Sequence, residues 1–258
     1  MDKRLAIVVP YRDRKAHLGH FLPHMATFIV QRSIPCRIVI VEQTDGKPFN
    51  RGALLNVGFD LTRKDSDYVC FHDVDYLPLD ADYSFPNQPC CAVWYGAETR
   101  PIDPATPQRR IVHRLEQFFG GVVLASKEHF ETVNGYSNRY WGWGHEDTDL
   151  RRRFKAQNIP LGRRKGRFHA LDHKNAGFEL DGSPSEESTR TRATLMARWS
   201  GPNVSTDFSD DGLTTLRYET RAARSLAIVA SGGKGPPRLR ADLVTVELTM
   251  DADPGEPG

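Results

Sequence analysis

The sequence predicts an α/β fold with a mostly parallel central sheet. Strand-like and helix-like segments alternate from Leu5 to Asp75, and the strand-like runs are continuously apolar, as in strands covered on both faces. Polar clusters follow each run, at Tyr11 to Arg14, Glu42 to Asp45 and Asp73 to Asp75. Parallel strands joined by right-handed crossovers bring such clusters to one edge of the sheet, where ligands bind in this class of fold.

Leu5 to Val9 reads as a buried strand ended by Pro10. His17 to Gln31 places Leu18, Phe21, Leu22, Met25, Phe28 and Ile29 at helical spacing. Cys36 to Val41 is a second strand rich in β-branched residues, Arg51 to Leu61 a helix with Leu54, Leu55 and Phe59 inward, and Tyr68 to His72 a third strand. Ala97 to Arg114 is polar, carries three prolines and reads as a loop. Phe118 to Ser126 is strand-like and Lys127 to Thr132 a short helix. Glu146 to Gln157 is a helix whose acidic first turn and basic body (Arg151, Arg152, Arg153, Lys155) suit the helix dipole. Gly182 to Arg192 is hydrophilic, loop or helix surface, and two strands are expected at Leu216 to Ala230 and Leu239 to Met250, joined by Gly232 to Pro237. The expected organisation is one domain over residues 1–250 with a disordered tail at 251–258.

With 258 residues, 39% of them hydrophobic, the chain can bury one sizeable core. Its 35 basic and 33 acidic side chains nearly cancel, so nothing demands nucleic acid or a membrane as partner, and nothing specifies an oligomeric state. Cys36, Cys70, Cys90 and Cys91 lack metal-ligand spacing and read as reduced thiols. The four residues before Leu5 lead straight into a strand, so the expectation is a soluble cytoplasmic protein.

Three motifs carry chemistry. In Asp73-Val74-Asp75, alternate residues of a strand end point the same way, and two hard oxygen donors suit magnesium or manganese. A metal there would neutralise a departing diphosphate, while the bland reading is a polar turn. In Trp141-Gly142-Trp143-Gly144-His145-Glu146-Asp147, two tryptophans between glycines offer faces for sugar rings. Glu146 and Asp147 begin a helix whose dipole favours their ionised form, which suits a general base, against a bland reading of core tryptophans and an acidic cap. His169 and His173 are either ordinary histidines or nitrogen ligands completing the shell begun by Asp75, which would favour manganese. Arg12, Arg14 and Arg51 are candidates for phosphate oxygens.

Assembled in order, these motifs resemble the β-1,4-galactosyltransferase family, the inverting family 7 glycosyltransferases of GT-A, Rossmann-like fold. Val9 to Arg14 is similar to the opening nucleotide-binding loop, Phe49-Asn50-Arg51 with Leu54 to Phe59 to the next block, and His72 to Asp75 to the metal motif. Phe119-Gly120-Gly121-Val122, Trp141 to Asp147, and Asp211 to Leu216 with Tyr218 complete the set. The resemblance implies UDP-galactose as donor and a glycan or xyloside as acceptor. It implies donor contacts at Pro10, Tyr11, Arg12, Arg14, Phe49, Arg51, Asp73, Val74, Gly121 and Trp143. Phe118, Trp141, Gly144, His145, Glu146 and Asp147 are implied on the acceptor side, with Asp147 as base and Glu146 holding the acceptor. Manganese is implied on Asp75, His173 and His169. The donor part would span about residues 1–125 and the acceptor part about 126–250.

Three departures bear on specificity. His145 stands where many members have glycine, although the xylose-specific branch, which the His72 to Asp75 block most resembles, also has a bulky basic residue there. Phe118 occupies the position of a donor-limiting tyrosine; it loses the hydroxyl but keeps the bulk that discourages an N-acetyl group, which favours galactose over N-acetylgalactosamine, and the histidine spacing also differs from the branch. Absence of the eukaryotic members' anchor and disulfides suggests a bacterial relative. The rival readings are a sugar-nucleotide or glycan receptor without turnover, a UDP-N-acetylgalactosamine-using transferase, and a metal-dependent phosphohydrolase that leaves the two tryptophans unexplained.

Overall fold

The computed structural model describes residues 3–93, 97–100, 110–111, 118–172, 177, 179, 181–202, 204–229 and 238–251. The first half alternates as expected: β1 (Leu5–Tyr11), α1 (Lys15–Gln31), β2 (Cys36–Gln43), α2 (Arg51–Thr62) and β3 (Tyr68–His72). There follow β4 (Tyr76–Ala81), β5 (Cys90–Cys91), β6 (Ala97–Arg100), β7 (Arg110–Ile111), β8 (Val122–Ser126), α3 (Lys127–Thr132) and α4 (Glu146–Ala156). The last elements are β9 (Gly162–Arg163), β10 (Gly166–Leu171), α5 (Glu186–Trp199), a 3₁₀ turn (Leu213–Thr215), β11 (Tyr218–Val229) and β12 (Arg238–Leu248).

An eight-stranded sheet in the order β11-β12-β2-β1-β3-β8-β5-β9 forms the body. Its centre is parallel: β1 pairs with β2 and β3, and β12 enters beside β2 with Ala241 opposite Ile38. β8 runs antiparallel to β3, and β11 antiparallel to β12. A smaller sheet, β4-β10-β6-β7, lies past the end of β3. Every residue of β1 and β3 is buried, which explains why those segments read as unbroken apolar runs.

Several elements differ from the expectation for physical reasons. β1 continues through Pro10 to Tyr11, because its β3 partner stops opposite Val8 and proline at an open strand side need not cost a ladder bond. The segment Ala97 to Arg114, expected as loop, contains β6 and β7, which pair antiparallel, with β6 beside β10. Gly182 to Arg192 agrees with its expectation as loop or helix surface: it runs from Glu186 into α5, whose cap Ser185 accepts from the Ser188 amide at 3.2 Å. Its buried residues include Ser188 and Thr191, so apolar periodicity was absent. The Gly232 to Pro237 connection, residues 252–258 and His173 lie outside the described residues.

α2 positions the site. Asn50 caps it by accepting from the Ala53 amide at 2.9 Å, and Gly52 to Phe59 are all buried. Gly58 lies directly against β1: a Cβ there would sit 2.1 Å from Val8 Cγ1. Gly58→Ala is therefore expected to destabilise the fold by about 1–3 kcal/mol through overpacking. A denaturant titration checks this, and an unchanged midpoint would mean that α2 shifts freely against the sheet.

Candidate active site

Two helix N-termini and the end of β3 converge on one guanidinium. Arg51, the first residue of α2, donates from Nε to Asp73 Oδ1 at 2.7 Å, and from Nη1 to Asp147 Oδ1 at 2.8 Å and Glu146 Oε1 at 3.2 Å. The Arg51 side chain is 12% exposed, Glu146 9%, and Asp73 and Asp147 24% each, so these pairs sit largely out of water. One cation facing three carboxylates leaves a negative surplus. Burial pushes the Asp147 and Asp73 carboxyls above the usual range, with Arg51 opposing and the neighbouring carboxylates adding to the rise. The Nη2 of Arg51 is buried and has no hydrogen-bond partner.

The backbone before α4 explains how two carboxylates reach this point. Gly142 and Gly144 have φ of 102° and 92°, and His145, the residue ahead of the helix, takes φ 75°. A left-handed histidine costs about 1–2 kcal/mol, the kind of strain that collects at functional sites. Trp141 is buried under the loop, with Lys47 Nζ 5.7 Å from its ring. Trp143 is 38% exposed, and Gly177 lies so close that a Cβ would fall 2.4 Å from the indole. The Gly142 amide donates to Phe49 O at 2.8 Å, and the Thr191 hydroxyl of α5 to Trp143 O at 2.8 Å. Half-buried His145 has its imidazole held below the ordinary range by burial.

Gly120 and Gly121 make room at the other side. A Cβ on Gly120 would lie 2.1 Å from Asp147 Oδ2, and one on Gly121, at φ 71°, 2.9 Å from the Tyr76 ring. Gly121 O also accepts from the Asp73 amide at 2.8 Å. Phe118 is half-buried, and its carbonyl accepts from Arg163 at 2.9 Å.

Behind α4 lies a second ionic network that the basic helix body concealed. Arg153 is fully buried, donating to Asp149 Oδ2 and Asp211 Oδ2 at 2.7 Å each and to Asp211 O at 2.9 Å. Trp199 Nε1 donates to Asp149 Oδ1 at 2.6 Å. Asp211 Oδ1 accepts from the Asn138 amide at 2.8 Å, and Asn138 in turn meets Asn56 of α2. The spacing of Asp149 and Arg153 by one helical turn was the available signal.

On the expected nucleotide side, Pro10 and Tyr11 end β1, and Arg12 donates to Lys47 O at 2.6 Å with its guanidinium 5.1 Å from the Phe49 ring centre. Half-buried Arg14 precedes α1, and Val74 is buried. His72 belongs to the core: its ring lies between Tyr83 Oη at 2.7 Å and Asp73 O at 2.8 Å, with burial pulling its pKa down to about 4.

For the metal, half-buried Asp75 follows β3, and the Leu171 amide donates to its carbonyl at 2.7 Å. His169 of β10 is opposite Leu77 of β4. Asp75 lies in the turn just before β4, so His169 and Asp75 are neighbours through β4 in the smaller sheet's strand order. Nδ1 of His169 is buried with no hydrogen-bond partner. A hard carboxylate and an imidazole with an open nitrogen fit manganese. Among the described residues no three acidic, histidine or cysteine side chains gather as a metal centre, and His173 lies outside them.

Residues 1–86 match the N-terminal region of glycosyl transferase group 7, and residues 100–174 match the N-terminal domain of galactosyltransferase. The chain is 40% identical to mouse (Mus musculus) β-1,4-galactosyltransferase 7 over 63% of its own length and 47% of the relative's. It is 38% identical to human (Homo sapiens) β-1,4-galactosyltransferase 4 over 84% of its own length and 59% of that protein's. The chain thus spans about half the length of the curated relatives it matches. The catalytic domain of Drosophila β-1,4-galactosyltransferase 7, in complex with xylobiose, superposes with a TM-score of 0.73 at 25% identity, covering 96% of this chain and 95% of that one. A mutant of that enzyme in complex with manganese, UDP-Gal and xylobiose gives the same score and coverage.

Removing the shared cation tests the electrostatics. Arg51→Gln is expected to raise the titration midpoint of Asp147 further, since the lost guanidinium favoured the ionised carboxyl. A carbon-13 carboxyl titration reads it; a downward shift would mean that Arg51 does not govern this group.

Proposed function

Because the chain belongs to the glycosyl transferase group 7 family, we propose that it transfers galactose from UDP-galactose to a sugar hydroxyl with inversion, forming a β-1,4 linkage. Xylose is the proposed acceptor sugar. The observation that carries the reading is the pair Glu146 and Asp147, delivered by the strained Trp141 to His145 loop to the carboxyl ends of the sheet strands. Support for donor, metal and acceptor class comes from the Drosophila enzyme, whose complexes hold manganese, UDP-Gal and xylobiose. The bulk that Phe118 keeps, although it lacks the tyrosine hydroxyl, supports galactose over its N-acetylated counterpart. The donor part at about residues 1–125, the acceptor part at about 126–250, and a bacterial cytoplasmic setting belong to the same proposal.

The reaction is a single displacement. Asp147 Oδ accepts the proton of the acceptor hydroxyl as its oxygen bonds to the anomeric carbon, and the bond from that carbon to the diphosphate oxygen breaks with its electron pair leaving on UDP. Gly120 keeps the Asp147 carboxylate in place by having no Cβ to displace it. Glu146 holds the acceptor, and Trp143, more than a third exposed, presents an indole face to the sugars. Arg12, Arg14 and the buried, unpartnered Nη2 of Arg51 supply donors for phosphate oxygens, with Pro10, Tyr11, Phe49, Asp73, Val74 and Gly121 shaping the donor side. Asp75 and His169, with His173, would hold manganese, which supplies positive charge to a departing diphosphate.

Release of UDP from UDP-galactose with manganese and a xyloside tests the activity; no release above the acceptor-free rate with any sugar acceptor would overturn it. Asp147→Asn is expected to leave UDP-galactose binding intact while lowering kcat by about 10²–10⁴-fold, the usual worth of a general base. Since the base works ionised, kcat/KM should fall tenfold per pH unit below its midpoint and level off above it. Burial places that midpoint above the ordinary carboxyl value of 3.8. Asp75→Ala should abolish manganese-dependent transfer, and parental activity in that variant would remove Asp75 as a ligand.

A further inference from the structure

The proposed base has a neighbour whose side chain comes from the core. Tyr136 is fully buried, and its hydroxyl donates to Asp147 Oδ1 at 3.5 Å, the oxygen that Arg51 Nη1 reaches at 2.8 Å. A buried phenol requires an acceptor, and among the described residues this carboxylate is the one it has. Burial, and then the Asp147 carboxylate, hold the phenol well above its ordinary range, so it stays protonated and donates.

The ring is held on every side that the fold supplies. Phe71 of β3 meets it edge-on with centroids 5.3 Å apart, and Phe130 of α3 lies 5.9 Å away. Its main chain is clamped by Asn56 of α2, which donates from Nδ2 to Tyr136 O at 2.8 Å and accepts from the Tyr136 amide at 2.9 Å. Gly52, one helical turn earlier on α2, keeps that approach close: a Cβ there would sit 3.3 Å from Tyr136 Cβ. The helix that carries Arg51 therefore places both donors to Oδ1. Two fixed donors on one oxygen set the rotation of the carboxylate, and leave Oδ2 against the bare Cα of Gly120.

We propose that Tyr136 is a positioning residue for the transfer, holding Oδ1 of Asp147 together with Arg51 so that Oδ2 takes the proton of the acceptor hydroxyl. The proposal rests on the transferase reading and assigns the two oxygens of its base. As the acceptor oxygen bonds to the anomeric carbon, its proton passes to Oδ2 and the bond to the diphosphate breaks; Tyr136 keeps its own proton. A contact of 3.5 Å is of the length that catalytic hydrogen bonds often have before substrate binds, and the bound acceptor shortens it. The other titratable groups around Asp147 are Arg51 of α2, Asp73 after β3, Tyr76 of β4, Cys91 of β5 and Glu146 beside it. Burial keeps Tyr76 and Cys91 protonated, with Cys91 pushed up to about 11, so the carboxyls alone share the acidic titration.

Tyr136→Phe removes the hydroxyl and keeps the ring. The test is transfer of galactose from UDP-galactose to a xyloside with manganese, followed across the acidic limb and the plateau. The midpoint of the acidic limb of kcat/KM is expected to move up by about one pH unit, because a hydrogen bond to the ionised carboxyl is lost. On the plateau kcat should fall about tenfold, since a carboxylate able to rotate is misplaced for part of the time, while KM for UDP-galactose stays within about twofold. A role in packing alone predicts an unmoved midpoint. An unmoved or lowered midpoint, or a loss that lies wholly in KM for UDP-galactose, overturns the proposal. If the parent transfers galactose to no acceptor, the transferase reading fails instead, and carbon-13 titration of the Asp147 carboxyl decides the contact. A higher midpoint in Tyr136→Phe than in the parent supports it; an equal or lower one overturns it.

Discussion

A single guanidinium joins three segments that the chain keeps far apart. Arg51 ties the end of β3 to the start of α4 from its own place at the start of α2, through Asp73, Glu146 and Asp147. Each contact lies at the carboxyl ends of the central strands, where helix N-termini and loose strand ends supply polar groups without breaking the sheet. Three carboxylates crowded into a partly dry site would repel one another, and Arg51 is what makes the crowding tolerable. It does not neutralise it fully: burial first, and the neighbouring carboxylates after it, raise Asp147 and Asp73 towards the range useful for proton transfer.

The rest of the fold holds that arrangement still. Arg153 pins the body of α4 to Asp211, and Asn138 carries the link on to α2, so the two helices that meet at Arg51 share one buried polar framework. Breaking such a framework by removing one partner costs about 3–5 kcal/mol, because the remaining charge stays buried. Glycines set the clearances: Gly120 admits the Asp147 carboxylate, and Gly177 admits the Trp143 ring. The geometry of the candidate site depends on absent side chains as much as on present ones.

Much of this was legible in the sequence. The buried strands β1 and β3 announced themselves through unbroken apolar runs, and the acidic start of α4 through its dipole-matched charge order. Elements carried by long-range pairing were not legible. β5 and β9 have two residues each, too few for any period, and β10 is a strand because β4 and β6 flank it. Arg51 was readable as a basic residue at a helix start, but its partners lie 22, 95 and 96 residues away. Arg153 looked like its neighbours Arg151 and Arg152, and only its position one turn after Asp149 marked it as the buried one. α5, which braces the tryptophan loop through Thr191, carries polar residues on its inner face, so its start reads equally as loop or helix surface.

The bridging role of Arg51 is tested most directly by a double-mutant cycle on folding stability with Arg51→Gln, Asp147→Asn and the combined variant, followed by denaturant titration. Bridging predicts a coupling of about 1–3 kcal/mol, with the neutral asparagine relieving part of the destabilisation that follows loss of the guanidinium. Strictly additive effects would contradict it, and would mean that Asp147 is held in the site by something other than Arg51.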